Sequence, residues 1–453
     1  MTVSTPSPSD FSRLLRWTLS TPTDLEEVRA HVPLVGEGDH LPRGERVVVR
    51  ADLDVPIEDG SVVDKARLSA SAETLRTCIE CGCRAVVLGH LGRSGGSLRA
   101  VATELGELVG SPIRFVDDWL DESSLRLTTA AQDAVAASSE GSIVMFDNVR
   151  RYEIEQRLWK ADIDEWAGPM HSLATHLRET LGGIYVNEAI AASNRDFSSA
   201  VLPLAMDQRL LGSYIGREVE PLARLQAVDT VVMGGIKADK LDDLERVCER
   251  PGTRLVLVSG TLALVLRKAQ ANVAHEDFEL GRAGVEENAP YYAAPVRIRQ
   301  GEKIIETCVR RGLSLVLPVD FILDDGTPSR TVSEGALQLD VGPDTRILFD
   351  KALVSEAGPD RSLFYNGVAG KFEDARFADG TQSLIKSVER FAGAGGSVYV
   401  GGGEGRSAFL RFADPRSARH VFTAGGTVLK AVAGRPLPML NALLAGRMEH
   451  VDA

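Results

Sequence analysis

From residue 46 onward, short apolar runs alternate with longer stretches of helical periodicity. In the first half the runs are Arg46–Arg50, Ala85–Leu88, Ile143–Phe146 and Ile184–Val186. In the second half they are Thr230–Met233, Arg254–Val258, Ser362–Tyr365, Ser397–Val400 and His420–Phe422. Continuous apolar runs of this length, rich in β-branched residues, mark strands covered on both faces. With helical stretches between them they give the βαβ rhythm, so the pattern predicts an α/β fold of parallel sheets flanked by helices. Residues 1–40 lack this rhythm. They are polar and proline-punctuated, with candidate short helices around Phe11–Leu19 and Asp24–His31 and with Thr21, Thr23 and Asp24 as capping residues. This extension is either a partner-binding arm or a segment packed on the first domain.

A chain of 453 residues is too long for one ordinary core, so two domains of roughly 200 residues each are expected. The formal charge of −13 argues against a general nucleic-acid surface and confines any anion site to a local basic pocket. No apolar run reaches membrane-spanning length. The longest, Leu255–Leu266, is interrupted by Ser259, Gly260 and Thr261, and the N-terminus has no secretory pattern, so a cytoplasmic protein is expected. Cys78, Cys81 and Cys83 form a C-x-x-C-x-C cluster without further ligands to complete a zinc set. Buried small residues where a helix meets a strand explain them better.

The chemistry lies at the carboxyl end of each run. Arg50, Asp52 and Asp54 stand at alternate positions and would share one face if the strand persisted to Pro56. His90 and Arg93 come after the second run; Asn148 and Arg150 after the third; Asn187, Asn194 and Arg195 after the fourth. Asp64-Lys65-Ala66-Arg67 leads into a helix and offers a further arginine. One such arginine is ordinary surface. Several at the matching end of successive parallel strands point to a pocket for a small, multiply charged anion, which the planar guanidinium suits. The second half ends its runs in glycine: Gly234-Gly235 with Lys237 and Lys240 after them, Gly260, Asn366-Gly367, Gly401-Gly402-Gly403-Glu404 and Gly425-Gly426. Glycine at a strand-to-helix corner lets a phosphate reach backbone N–H groups and the helix dipole, and with two lysines nearby a nucleoside triphosphate is the expected ligand. Neither a P-loop nor a G-x-G-x-x-G fingerprint is present. Arginine corners in one half and glycine corners in the other suggest two ligands meeting across a cleft.

These residues are similar, in order, to motifs of the phosphoglycerate kinase family over roughly residues 44 to 445. Arg50-Ala51-Asp52-Leu53-Asp54-Val55-Pro56 resembles R-V-D-F-N-V-P, Gly89 to Arg93 resembles S-H-L-G-R, Asp147 to Tyr152 resembles E-N-L-R-F, and Val186-Asn187-Glu188-Ala189 resembles V-N-D-A. Lys237 and Lys240 sit in a version of G-G-x-K-x-x-x-K, and Asp340-Val341-Gly342-Pro343, Asn366-Gly367, Gly401 to Glu404 and Thr423 to Gly426 complete the series. The resemblance implies two domains joined by a hinge. An acid-binding domain would span 41–209 and a nucleotide-binding domain 210–425, with 426–453 returning to the first. By the same resemblance Asp52, Asp54, His90, Arg93, Arg150 and Arg195 would bind the acid, and Arg67, Lys237 and Lys240 would act on the transferring phosphoryl group. Gly234, Gly235, Asn366, Glu373, Gly401, Gly402, Gly403, Glu404, Gly425 and Gly426 would hold ATP or ADP with Mg²⁺, Glu404 standing where the family has its metal-associated aspartate. A monomer without nucleic-acid or membrane partners is expected.

The departures concern the acid. The family's asparagine is Asp54, its H-R-x-H element is Asn194-Arg195-Asp196-Phe197, its two lysines are one residue closer together, Gly405 replaces a Thr or Ser, and the N-G-P-x-G loop lacks its proline. A second carboxylate beside Asp52 repels an anion and favours a substrate with an ammonium where glycerate has a hydroxyl. The expected activity is therefore ATP-dependent phosphoryl transfer at a carboxylate, forming or consuming an acyl phosphate, with altered acid specificity; such an acyl phosphate could be passed to an amine to form an amide. An ordinary glycolytic phosphoglycerate kinase and a non-catalytic nucleotide-binding scaffold are the alternatives.

Overall fold

The computed structural model describes residues 6–63, 65–93, 95–192, 194–235, 240–423 and 425–448. The chain divides into two compact units, one made of the residues up to Ala223 with those from Arg435 on, the other of Arg224–Gly434.

The first unit is built on six strands: β1 (Arg46–Arg50), β2 (Arg84–Leu88), β3 (Ile113–Val116), β4 (Ile143–Phe146), β5 (Ile184–Asn187) and β6 (Gln208–Leu211). They pair in the order β6-β5-β1-β2-β4-β3, parallel throughout. Alternate residues fill opposite faces, as a period of two requires. Val47, Val49, Val87 and Met145 join Leu68, Leu75, Val101 and Leu105 of the helices Ala66–Glu80 and Arg99–Val109 in one core. Burying each such side chain stabilises the fold by roughly 1.5–3 kcal/mol, so the continuous apolar runs commit these segments to the interior. Cys78, late in its helix, and Cys83, just before β2, are part of this core.

The N-terminal extension packs rather than projects. Helix Pro8–Ser20, capped by Ser7, buries Phe11, Leu14, Leu15 and Leu19 against the helices Ile163–Leu181 and Pro438–Met448. Asn441 donates to the carbonyls of Thr18 (3.1 Å) and Thr21 (2.8 Å). Of the three expected capping residues, Asp24 caps helix Leu25–His31, whereas Thr23 accepts the Leu437 N–H (2.7 Å). Thr21 ends the preceding helix instead.

The second unit carries β7 (Thr230–Met233), β8 (Leu255–Val258), β9 (Ser314–Val316), β10 (Ser362–Asn366), β11 (Ser397–Val400) and β12 (His420–Val421), with a small antiparallel sheet formed by residues 321–341. Its parallel order is β9-β8-β7-β10-β11-β12. Helix Gly425–Val432 belongs to this unit, where Arg250 donates to the Val432 carbonyl (2.7 Å). In both sheets the chain runs outward to one edge and then returns to the other side of the first strand. The switch points are β1/β5 and β7/β10, and open parallel sheets bind ligands at the carboxyl ends of such strands. No helix among the described residues is long and apolar enough to cross a membrane.

Candidate functional site

In the first unit the residues gather around the end of β1. The strand stops at Arg50, earlier than Pro56. The backbone beyond it is satisfied by side chains and local contacts. Arg50 donates to the Ala51 carbonyl (2.7 Å), the Asp52 N–H is accepted by Ser71 (3.2 Å), and Val55 N–H turns back to the Leu53 carbonyl (3.0 Å). The last ladder bond runs from the Ala51 N–H to the Leu88 carbonyl (2.9 Å), and beyond it Asp52 is buried while Asp54 is partly exposed.

Arg50 is wholly buried, donating also to Ser198 Oγ (2.7 Å) and His90 Nδ1 (2.8 Å). A guanidinium has no acceptor, so His90 Nδ1 accepts and its proton sits on Nε2. Burial, then Arg50, Arg150 and Arg67, hold the imidazole down at about 2, so it is neutral. Its Nε2 lies 3.8 Å from an Asp54 oxygen, too far for a hydrogen bond. The other Asp54 oxygen accepts the Gly92 N–H (2.8 Å), and the Asp54 carbonyl accepts from Arg67 (2.9 Å). Arg67 also stands 3.8 Å from Asp52, whose carboxyl is pushed up by burial against the opposing pull of Arg67 and Arg50.

Arg150 completes the group. Its side chain is only 7% exposed, donating to the Gly92 carbonyl (2.9 Å) and, at 3.5 Å, to the fully buried Asp196, which also accepts from the Trp159 indole (2.7 Å). Glu155 accepts from the Ser198 N–H (2.9 Å) and hydroxyl (2.7 Å), and burial followed by Asp196 raises its carboxyl. Arg93 and Arg195 lie exposed outside this hydrogen-bonded group. The expected basic pocket is thus a mixed cluster, in which Arg50, Arg67 and Arg150 face Asp52, Asp54, Glu155 and Asp196. Asp196 was visible as a departure in the Asn194–Phe197 element. Glu155 gave no signal, because nothing in a four-residue helix marks a carboxylate that turns inward.

In the second unit the glycine corners stack on one another. The Gly234 N–H donates to the Asn366 carbonyl (3.1 Å), and a Cβ at Gly234 would collide with the Val368 carbonyl. Gly367, at φ +136°, sits against the Gly234 backbone, and a Cβ at Gly425 would come within 2.6 Å of Gly402 Cα. Gly402 itself has φ +78° and faces Asn366 Oδ1, while Gly401 lies against the Phe364 ring. Gly403 and Gly426 have open space where a side chain would go. Helices Gly260–Ala274 and Gly403–Phe412 start here without a side-chain cap, and in the first of them the Thr261 N–H donates to the Gly235 carbonyl (3.1 Å). Lys240 donates to the Gly234 carbonyl (2.7 Å), and both Lys240 and Glu404 flank Gly235. Lys237 lies outside the described residues. Beside these corners is a cavity of about 300 Å³ with Leu337, Val368, Ala369 and Tyr291 among its apolar walls and Glu373 and Glu404 at its polar side. Its size and lining suit a nucleoside, with bare corners adjacent for phosphates. Among the described residues no three potential ligands converge on a metal position. Glu404, which flanks Gly235, and Glu373 are the carboxylates on the cavity wall that could hold a Mg²⁺ ion arriving with the phosphates.

The family model for phosphoglycerate kinase matches residues 39–435. The chain belongs to the phosphoglycerate kinase family. Curated phosphoglycerate kinases of Salinispora arenicola and Clavibacter michiganensis are each 32% identical to it, covering 88% of this chain and 96% of theirs. Phosphoglycerate kinase structures from Coxiella burnetii (TM-score 0.70, 24% identity) and Pyrococcus horikoshii (TM-score 0.72, 23% identity) share the fold over 92% of this chain and 99% and 100% of theirs. The two-domain phosphoglycerate kinase architecture expected from the sequence is therefore present.

Proposed function

We propose that the protein is an ATP-dependent phosphotransferase whose acceptor is a carboxylate, with an acid other than 3-phosphoglycerate. A carboxylate oxygen attacks the γ-phosphorus, the bond to the β-phosphate oxygen breaks, and ADP leaves with the acyl phosphate retained. No covalent enzyme intermediate and no proton transfer are needed, only two anions aligned in a line and their charge offset. Arg67, Lys237 and Lys240 take the charge of the transferring group, and the glycine corners with Glu373 hold the nucleotide. Glu404 would hold a Mg²⁺ ion arriving with the nucleotide, which would supply further neutralisation of the phosphates.

The observation that carries the altered specificity is the mixed-charge cluster. Arg50 and Arg150 are engaged internally by Ser198, His90 and Asp196, while Asp54 keeps a carboxylate beside a neutral His90. That balance suits an ammonium next to the acid. The acyl phosphate would then be passed to an amine to form an amide. ADP release with 3-phosphoglycerate against O-phosphoserine, which carries an ammonium in place of the hydroxyl, tests the reading. Full turnover on 3-phosphoglycerate alone returns the chain to an ordinary phosphoglycerate kinase, and nucleotide binding without ADP release on any acid favours a scaffold.

A further inference from the structure

Glu155 is a buried acid that no cation touches among the described residues. It is 2% exposed, and its carboxylate accepts from a single residue, through the Ser198 N–H (2.9 Å) and the Ser198 hydroxyl (2.7 Å). The same hydroxyl oxygen accepts from Arg50 Nε (2.7 Å), and Arg50 also donates to His90 Nδ1 (2.8 Å). One buried hydroxyl therefore stands between Glu155 and the guanidinium that holds His90. The groups packed around Glu155 leave its charge unmet. Asp196, a second buried carboxylate, precedes the Phe197–Val201 turn that packs on the Glu155 helix, and it takes Arg150 and the Trp159 indole for itself. In the turns on either side, Arg151 is drawn to Asp147 and Arg157 to Glu153. The Tyr185 hydroxyl donates to the Ser198 carbonyl (2.8 Å). A carboxylate so placed has lost its water, faces a like charge and meets its nearest cation only through a hydroxyl, which favours its protonated form. Burial, then Asp196, push Glu155 up to about 7 against the pull of Arg50 and Ser198, so both forms are populated near neutral pH.

We propose that Glu155 is a specificity-determining residue of the acid site, taking up a proton from solvent when an anion binds beside His90. This role rests on the phosphotransferase reading, which supplies the anion. An anion there makes the Glu155 charge more costly, so binding and protonation favour each other, as linkage requires. No heavy-atom bond changes. With Glu155 protonated the cluster is one charge more positive and suits a purely anionic acid. With Glu155 ionised it is more nearly balanced and suits an acid that also carries an ammonium.

Sulfate, a dianion that does not itself titrate near neutral pH, serves as the probe. It is titrated into the full chain by calorimetry, with MgADP present to occupy the glycine corners. Heats measured at about pH 7.5 in MOPS and in imidazole differ by the protons exchanged, and uptake of about half a proton per sulfate is expected. Sulfate affinity should fall roughly fivefold between about pH 6 and about pH 8.5. Glu155→Gln, which is nearly isosteric, should bind sulfate with less than about a tenth of a proton exchanged and an affinity flat within about twofold. Ser198→Ala removes one donor to the carboxylate and should move the midpoint of the decline up by about one pH unit, a shift that a merely structural role would not produce. It also decides the matter should Glu155→Gln not fold. No saturable sulfate binding, uptake unchanged by Glu155→Gln, or a midpoint unmoved in Ser198→Ala overturns the proposal. ADP release on an acid, with sulfate affinity flat in pH, sinks the Glu155 assignment alone. Proton uptake that Glu155→Gln abolishes, with no ADP release on any acid, leaves Glu155 standing as an anion-linked group and sinks the phosphotransferase reading alone.

Discussion

Replacing Asp54 by Asn isolates the charge on which the altered specificity rests. The change is nearly isosteric, and the Asn carbonyl can still accept the Gly92 N–H that Asp54 accepts at 2.8 Å, so the loop should keep its place. The substitution removes one negative charge and little else. That charge is not cancelled locally. His90, 3.8 Å away, is held neutral, and Arg67 reaches the Asp54 carbonyl rather than its carboxylate. Two unit charges 4 Å apart interact by about 4 kcal/mol at an effective dielectric of 20 and about 1 kcal/mol in water. The Asp54 side chain is 40% exposed, which places the interaction with a substrate ammonium toward the lower end, at about 1–2 kcal/mol. The ratio of kcat/KM for O-phosphoserine to that for 3-phosphoglycerate should then fall roughly 5- to 30-fold in the Asn variant. A coupled assay of ADP release with both acids at matched concentrations measures it. A ratio unchanged within twofold, in a variant of unchanged melting temperature, refutes the ammonium argument.

Arg67→Ala should lower kcat by about 10²–10³ while the KM for ATP stays within threefold, because the guanidinium acts on charge that develops only in transfer; steady-state kinetics decide it. Gly426→Ala places a methyl in open space, so the melting temperature should hold while nucleotide affinity by calorimetry falls about tenfold if a phosphate occupies that corner. Gly367→Ala, at φ +136° and against the Gly234 backbone, should instead destabilise the protein by about 1–3 kcal/mol in chemical denaturation. Burial pushes the Glu188 carboxyl up to about 8, above its unfolded value, so its stabilising contribution is complete below about pH 4.5 and is lost as pH rises through 8. Glu188→Gln should therefore gain on the parent between pH 5 and pH 8.5, by on the order of 3 kcal/mol, read as a widening difference in melting temperature.

The alternation of apolar runs and helical stretches was enough to read the inner strands of both sheets, because a strand buried on two faces has few alternatives and Val47–Val49 or Val231–Val232 can be satisfied only inside; the edge strands Ile113–Val116, Gln208–Leu211 and Ser314–Val316, incompletely buried, gave no such run. The ends of those strands were legible for the same reason. A parallel sheet delivers the residues after each strand to one edge, so His90, Arg150, Gly234 and Gly402 declared themselves by position. Partnership is the property the chain conceals. Arg150 reads as a free cation in the sequence, yet its charge is met by Asp196, 46 positions away, across a contact created only by folding. The same holds for Arg50, whose donors find Ser198 and His90. A motif can therefore preserve every arginine and still change the field they produce, since the field depends on the buried acids brought against them. In this chain Asp52, Glu155 and Asp196 are those acids, with the partly exposed Asp54 beside them, and the cluster they form with three arginines is the physical ground on which the proposed change of acid rests.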